Sequence, residues 1–331
     1  MGPFCFGDFM SSEYKPFKDV SDQILLLKSR GVTFSKSELR NAEKYLGNIN
    51  YFKFAKIYKN SIFTKQGCEN HNLNNRYPFH LFLKIYNQEV EISNLTLKYI
   101  LHFETMIRTN FAYNISCSTS NNTPYLNKEF IDKKDEKSQR NYENFCKKFS
   151  YTSYQNKDKI NRSKSLISVL NHYHSKHNEA PPIWAIVECV DFGDLRWLIK
   201  MFDKIYLNNF YVNIFNVDDS CIVNNDKYID FFNNFLSSIN NLRNDCAHNN
   251  ILFGSGFRLN GFNNFGDEFK KNVVFKDGQN FALVINTLYF FIYNRDKNLA
   301  KKMKKDFLKC FKKLEGIHLE SIGAYGVKSV I

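Results

Sequence analysis

The sequence predicts an all-α fold, and three observations predict it. The patterned apolar stretches repeat at three- and four-residue steps, the spacing of a helix face. Gly, Pro and Ser/Thr/Asn clusters punctuate those stretches where helices must stop. One stretch opens with a capping box, Ser35-Lys36-Ser37-Glu38. With 43% hydrophobic residues over 331 positions, the chain can bury a sizeable core. The expected organisation is a small N-terminal helical module over residues 1–85 and a larger helical domain over 86–331. The larger domain carries loop insertions, a charged insertion and a basic C-terminal helix.

After a short Gly/Pro/Phe-containing leader, Asp22 to Arg30 reads as a helix with Ile24, Leu25, Leu26 and Leu27 on a broad apolar face and Gly31 as its stop. The capping box starts a second helix with Leu39, Ala42 and Leu46 at helical steps. The pair can be read as a DNA-reading helix-turn-helix, which would offer only Lys36, Arg40 and Lys44 to a duplex, or as a packing hairpin. In Asn48 to Tyr58 aromatics and lysines interleave. Lys53 and Lys56 could hold RNA between stacked rings, while Tyr51, Phe54, Ile57 and Tyr58 also fit a core face with solvated lysines opposite. Ser61 to Pro78 is polar and reads as a loop closing the first module.

From Ile92 to about Ile115 one stripe runs through Leu95, Leu97, Ile100, Leu101, Phe103, Ile107, Phe111 and Ile115 and predicts a long helix. Glu104 and Arg108 form an i,i+4 pair on it, either a surface ion pair or the wall of a polar cleft. Ser118 to Pro124 reads as a loop, and Asn127 to Arg162 as charged, solvated helices or an insertion. Pro181 to Leu195 predicts a helix that buries Trp184, with Phe192-Gly193 as a bend or stop. Leu252 to Gly278, rich in Gly, Phe and Asn, reads as a loop excursion, and Phe281 to Tyr293 as a buried helix. The last helix sets Leu299, Met303, Phe307, Cys310, Phe311 and Leu314 on one face and surrounds them with lysines. Among these, Lys301, Lys304 and Lys305 are candidates for contacts with RNA phosphates, or a solvated surface.

Composition narrows the function classes. No apolar run reaches the eighteen or more residues of a membrane span, and no basic segment followed by an apolar one opens the chain, so a cytoplasmic protein with no membrane partner is expected. The eight cysteines include no CxxC pair, which points to reduced thiols. His172, His174 and His177 lie close together, yet no carboxylate or cysteine completes a recognised ligand spacing, so no metal and no cofactor are expected. Forty-six Lys+Arg against 33 Asp+Glu give a formal charge of +13, suited to a polyanionic partner. Part of that excess reflects the A/T-rich codons that also supply the abundant Asn, Ile, Phe and Tyr.

The chemistry concentrates in Leu242-Arg243-Asn244-Asp245-Cys246-Ala247-His248-Asn249, at the end of an amphipathic helix marked by Phe231, Phe232, Phe235, Leu236, Ile239 and Leu242. A histidine that titrates near neutrality can take the proton of a ribose 2′-OH or protonate a departing 5′-oxygen. An arginine fork matches the charge and shape of a pentacovalent phosphate. Neither step needs a metal. On an ideal helix Asn244 and His248 share a stripe, whereas Arg243 points about 100° away from Asn244. Convergence of Arg243 and His248 on one phosphate therefore requires either a long reach by the arginine or an opening of the helix near His248. One histidine cannot comfortably serve as both acid and base in one step, so two copies of the chain would have to face each other. The alternative is structural: a salt bridge for Arg243 and a helix cap for His248.

Five phrases in the same order resemble the Abi-like family of abortive-infection proteins of the AbiD/AbiF kind, which carry a HEPN-type helical domain. They are Gln23-Ile24-Leu25-Leu26-Leu27-Lys28-Ser29-Arg30-Gly31; Ile49-Asn50-Tyr51-Phe52-Lys53-Phe54; the helix with Glu104, Met106, Ile107 and Arg108; Pro182-Ile183-Trp184 through Glu188 to Phe192-Gly193; and Leu242 to Asn249. Lys53 stands where the family often has arginine, and Ile322 to Gly326 follows the family's ending only loosely. The resemblance implies an all-α, HEPN-like helical bundle acting as a metal-independent endoribonuclease toxin in phage defence or a toxin-antitoxin pair. Paired Arg-x4-6-His motifs would meet across a homodimer. It implies Arg243, Asn244 and His248 as catalytic residues, with Glu104, Arg108 and Asp245 supporting the cleft. RNA is the implied substrate, and a small noncoding antitoxin RNA a further partner. The alternative is a non-catalytic RNA-binding regulator that uses the HEPN fold as a scaffold.

Overall fold

The structure, a computed structural model, describes residues 17–59, 73, 75–133, 135–149, 162–223, 226–252, 259 and 280–313. The leader, most of the loop after Lys59, the Leu252–Gly278 excursion beyond its first residues, Leu314 and the Ile322–Gly326 tail lie outside the described residues. The chain is all-α: among the described residues thirteen α-helices and two short 3-10 turns stand against one pair of two-residue strands. It forms two compact units, Met1–Asn87 and Gln88–Ile331.

In the first unit, α1 (Val20–Ser29) is capped by Asp19, which accepts from the Asp22 backbone N–H. It buries Ile24 and Leu27, while Leu25 stays exposed, so the apolar face is narrower than the run of leucines suggests. Gly31 ends the helix at φ 106°, a conformation that L side chains rarely adopt. A Cβ there would stand 3.0 Å from the Asn75 carbonyl oxygen. The chain turns directly into β1 (Val32–Thr33), which pairs in parallel with β2 (Tyr77–Pro78) in the register Val32 to Tyr77. Helix α2 (Lys36–Asn48) has its capping box in place. In α3 (Tyr51–Lys59), Phe54, Ala55 and Ile57 are buried, as a core face requires. Phe52 is exposed, with the Lys56 ammonium 5.3 Å from its ring centre. Phe34 stacks on Phe79 and Phe54 packs against Phe79 and Phe82, which joins the unit's helices.

Glu38 does more than close its own cap. Its carboxylate accepts from the Ser35 backbone N–H at 2.7 Å and the His80 backbone N–H at 3.0 Å, and lies 2.8 Å from His80 Nδ1. Burial pushes its pKa up, but these hydrogen bonds outweigh burial and bring it from the ordinary 4.5 down to about 2. A carboxyl depressed on folding contributes stability that is complete above its unfolded pKa and is lost as pH falls through the folded value. Glu38→Gln is therefore expected to destabilise this unit by about 1 kcal/mol at pH 7, the scale of a helix cap. The difference from the parent should close between pH 4.5 and about 2 in urea titrations repeated across that range.

The second unit is built along α4 (Phe79–Thr119), a helix of 41 residues that contains the boundary between the units. It starts thirteen residues before the expected Ile92, because Phe79, Phe82 and Ile85 continue the buried stripe into the helix and Pro78 stands at its entry. It also runs through part of the expected Ser118–Pro124 loop. Two 3-10 turns (Pro124–Leu126 and Lys128–Phe130) lead to α5 (Glu136–Phe149), then α6 (Lys164–His177), α7 (Ile183–Cys189), α8 (Phe192–Met201), α9 (Lys204–Phe215), α10 (Asp219–Val223), α11 (Asp226–Ala247), α12 (Asn280–Arg295) and α13 (Lys297–Lys312). The charged stretch is thus partly integrated into the fold. Phe145 and Phe149 of α5 are buried, and Lys148 pairs with Asp194 of α8.

Two expectations around α7 are corrected. Trp184 is 49% exposed, because Ile183, Ile186 and Val187 fill the buried face and the ring falls on the other side. Phe192-Gly193 does not end a helix; it begins α8, where Asp191 accepts from the Asp194 backbone N–H. The break comes two residues earlier, at Val190.

Aromatic rings join α4, α9, α11 and α12. Phe291 of α12, fully buried, lies 5.0 to 6.0 Å between ring centres from Phe235, Phe215, Phe232 and Phe103. Such pairs add about 0.5–1.5 kcal/mol each beyond area burial. Phe291→Ala is expected to cost about 3–5 kcal/mol, read as a lower urea midpoint, whereas Phe290→Ala on the less buried side should cost less.

Candidate active site at the end of helix α11

The motif sits on the last turn of α11, and the way this helix ends determines the site. Asn249 adopts a left-handed conformation at φ 50°. The His248, Asn249 and Asn250 backbone N–H groups donate to the carbonyls of Asn244 (3.0 Å), Cys246 (3.1 Å) and Asp245 (2.8 Å). The last two bonds form a Schellman closure with Asn249 in the place usually taken by glycine. His248 is therefore the C-cap residue, exposed and just past the last helical residue, Ala247. Asp245 braces the turn with its side chain as well, accepting from Asn250 Nδ2 at 2.9 Å.

Arg243 leans toward its neighbour Asn244. Its Nη1 lies 3.5 Å from Asn244 Oδ1, the outer limit of a hydrogen bond, on the stripe that leads to His248. Its Nε is buried without a hydrogen-bond partner among the described residues. A guanidinium N–H in that condition costs free energy unless an acceptor arrives. The structure thus brings Arg243, Asn244 and His248 to one helix end. The helix ends at Ala247, immediately before the histidine, and the arginine stands beside Asn244.

The turn is held from α4. Ser93 Oγ donates to the Cys246 carbonyl at 3.3 Å, and the Leu252 backbone N–H donates to Glu89 Oε2 at 2.9 Å. Glu89, 2% exposed, and Ser93 thus grip the chain on either side of His248. The helix expected from Ile92 leaves Glu89 outside it, and Ser93, though inside, is a polar position off the apolar stripe. A carboxylate in line with Phe82, Ile85 and Ile92 is the signal that marks Glu89. Cys246 is not a nucleophile here. Burial pushes its thiol up to about 12 against a hydrogen bond with Ser93, and the Asp245 and Glu89 charges add to the rise.

Glu104 and Arg108 are placed elsewhere. They are 8% and 7% exposed, they pair with each other, and Arg108 also donates to the Val187 carbonyl of α7. At 1.5 Å rise per residue, Glu104 stands roughly 16 Å along α4 from Ser93. The pair is neither a surface ion pair nor close to the end of α11; it ties α4 to α7.

The lysine candidates divide. Lys301, Lys304 and Lys305 are exposed on α13 and form no ion pair among the described residues. That helix is anchored to α4 by Asp306, which accepts from Tyr99 at 2.7 Å and Lys98 at 3.0 Å, and by Lys313 with Glu91 at 2.6 Å. Lys53 and Lys56 lie half-buried on α3 in the first unit. His172 and His177 stand 5.8 Å apart at the end of α6, and no group of metal-ligating side chains placed to hold an ion occurs among the described residues. Nor is any helix among them long and apolar enough to cross a membrane.

An all-α chain with an arginine, an amide and a histidine on the last turn of one helix defines a class of helical protein with a polar helix terminus. The sequence model of one family, described as Abi-like protein, matches residues 44–254, so the chain belongs to the Abi-like protein family. Membership suggests a role in abortive infection, a form of phage defence. The matched span ends just after the α11 motif and excludes α13. No curated protein and no solved structure matches the chain.

Proposed function

We propose that this protein is a metal-independent endoribonuclease toxin of a bacterial phage-defence or toxin-antitoxin system, with the HEPN-like bundle implied by its sequence motifs. The observation that carries the reading is the end of α11. His248 is exposed at the C-cap, Asn244 lies one turn before it, and the Arg243 guanidinium turns toward Asn244, its Nε without a hydrogen-bond partner among the described residues.

In this reading a histidine takes the proton of the ribose 2′-OH. The 2′-oxygen attacks phosphorus, the bond to the 5′-oxygen breaks, and a second histidine returns a proton to the departing oxygen. The products are a 2′,3′-cyclic phosphate and a 5′-OH. Arg243 balances the charge that accumulates on the phosphate, and Asn244 orients the groups. Each chain supplies one such histidine, so a homodimer joins two motifs into one composite site. Lys301, Lys304 and Lys305 would hold the RNA backbone on the substrate side, with Lys53 and Lys56 as further contacts. A small noncoding RNA that occupies the same surface would restrain the toxin in the cytoplasm.

The test is to incubate the purified protein with total RNA in the presence of a chelator and to identify the new termini. Cyclic phosphate and 5′-OH ends that disappear in His248→Ala support the assignment. Co-purified RNA with intact ends, and no cleavage once that RNA is stripped away, would replace it with an RNA-binding regulator.

A further inference from the structure

About 15 Å before Arg243 along α11, on the 1.5 Å helical rise, lies Asn233, at the wall of a second and chemically opposite site. A cavity of about 430 Å³ opens among the first turns of α9 and α11, the end of α8 and the segment before α5. Its volume falls in the range of small-molecule pockets. Asp132, Asp135, Asp203, Asp226 and Asp230 line it, against Lys200 and Lys204. In a chain with a formal charge of +13, this local excess of carboxylates runs against the composition.

Part of the acidic lining is accounted for by local structure. Asp135 accepts from Ser138 Oγ at 2.7 Å, Asp203 accepts from the Ile205 backbone N–H at 3.1 Å, and Asp226 pairs with Lys204 at 2.7 Å. Asp132 has an interaction of its own and adds to the charge around Lys204, which leaves three groups. Asp230 makes no hydrogen bond or ion pair among the described residues. Tyr211 is 1% exposed and lines the cavity, yet its hydroxyl has no hydrogen-bond partner among those residues. Asn233 Oδ1 is buried and likewise unpartnered. Leaving a buried polar atom such as Asn233 Oδ1 unsatisfied is costly, and Asp230, exposed to solvent, brings a carboxylate with no cation beside it, so a ligand that answers both gains by it.

The walls are fixed in place. Ile131 and Phe202 form an antiparallel bridge, with the Asp132 N–H donating to the Met201 carbonyl at 3.0 Å and the Asp203 N–H to the Phe130 carbonyl at 2.9 Å. Burial, and then the Asp230 charge, push the Tyr211 phenol up, so its hydroxyl stays protonated and offers its lone pairs. The free acceptors call for N–H donors, and the surplus carboxylates for positive charge. Among the described residues no acidic group is arranged to hold a metal ion.

We propose that this cavity binds a small organic polycation bearing primary ammonium groups, held by Asp230, Tyr211 and Asn233.

The test is calorimetric titration of the full chain with spermidine, alongside hexamethonium, which carries positive charge but no N–H donor. Spermidine should bind the parent protein and hexamethonium should not. Asp230→Asn and Tyr211→Phe should each weaken spermidine about tenfold or more, the size of a lost hydrogen bond to a charged group, with the far-ultraviolet spectrum unchanged. Absence of spermidine binding to the parent, unchanged affinity in both variants, or equal binding of hexamethonium would each overturn the proposal. The outcome is independent of RNA cleavage, since none of these residues belongs to the C-terminal end of α11.

Discussion

His248→Ala is expected to lower RNA cleavage by about a hundred- to ten-thousand-fold, the range lost when a general acid or base is removed. The loss should fall on kcat, because an exposed C-cap imidazole adds little to the binding of a long polyanion held by lysines. Arg243→Ala should cost about a hundredfold or more, the scale of one oriented donor to developing charge. Arg243→Lys should recover only part of it, since an ammonium keeps the charge but not the two-pronged geometry. None of these changes should alter the melting temperature much, because His248 is exposed and Arg243 is only half-buried. Cleavage measured on one labelled RNA, with thermal melts of each variant, separates loss of chemistry from loss of fold. Equal activity in the parent, His248→Ala and Arg243→Ala would remove the α11 terminus from consideration.

Arg108→Ala is expected to destabilise the second unit by about 3–5 kcal/mol, because it leaves the Glu104 carboxylate buried and unpaired. Glu104 Oε2 has no hydrogen-bond partner among the described residues, so the arginine is the charge that makes its burial tolerable. The double variant Glu104→Leu/Arg108→Met should recover most of the loss. It removes both charges together and leaves only the Val187 carbonyl without its donor. If the pair instead served the cleavage site, the double variant would fold well yet lose activity. Urea unfolding and RNA cleavage on the same preparations distinguish the two outcomes.

These two residues mark a limit of reading a sequence. The spacing of Glu104 and Arg108 predicted an i,i+4 pair, and the pair exists. Whether it faced water, a cleft or another helix depended on what packed beside α4, and that neighbour, the Val187 carbonyl, comes from a segment distant in sequence. Trp184 shows the same limit. A seven-residue helix has room to bury only one face, and Ile183, Ile186 and Val187 occupy it. By contrast, the Glu38 capping box and the Gly31 stop were readable in full, because a cap and a left-handed turn are decided by residues within four positions of each other.

The α11 motif falls between these cases. The sequence by itself determined that the chain is helical, that an amphipathic helix leads into Arg243, and that Asn244 and His248 share its last stripe. Helical periodicity and side-chain chemistry are local properties. Only the tertiary structure decided that the helix stops at Ala247, that the arginine turns toward Asn244, and that Glu89 and Ser93 grip the chain on both sides of His248. The reason is physical: local bonds close the turn at Asn249, but a closed turn is held in one place only when groups from another element bond to it and to the chain that follows. Here those groups lie more than 150 residues earlier in the chain.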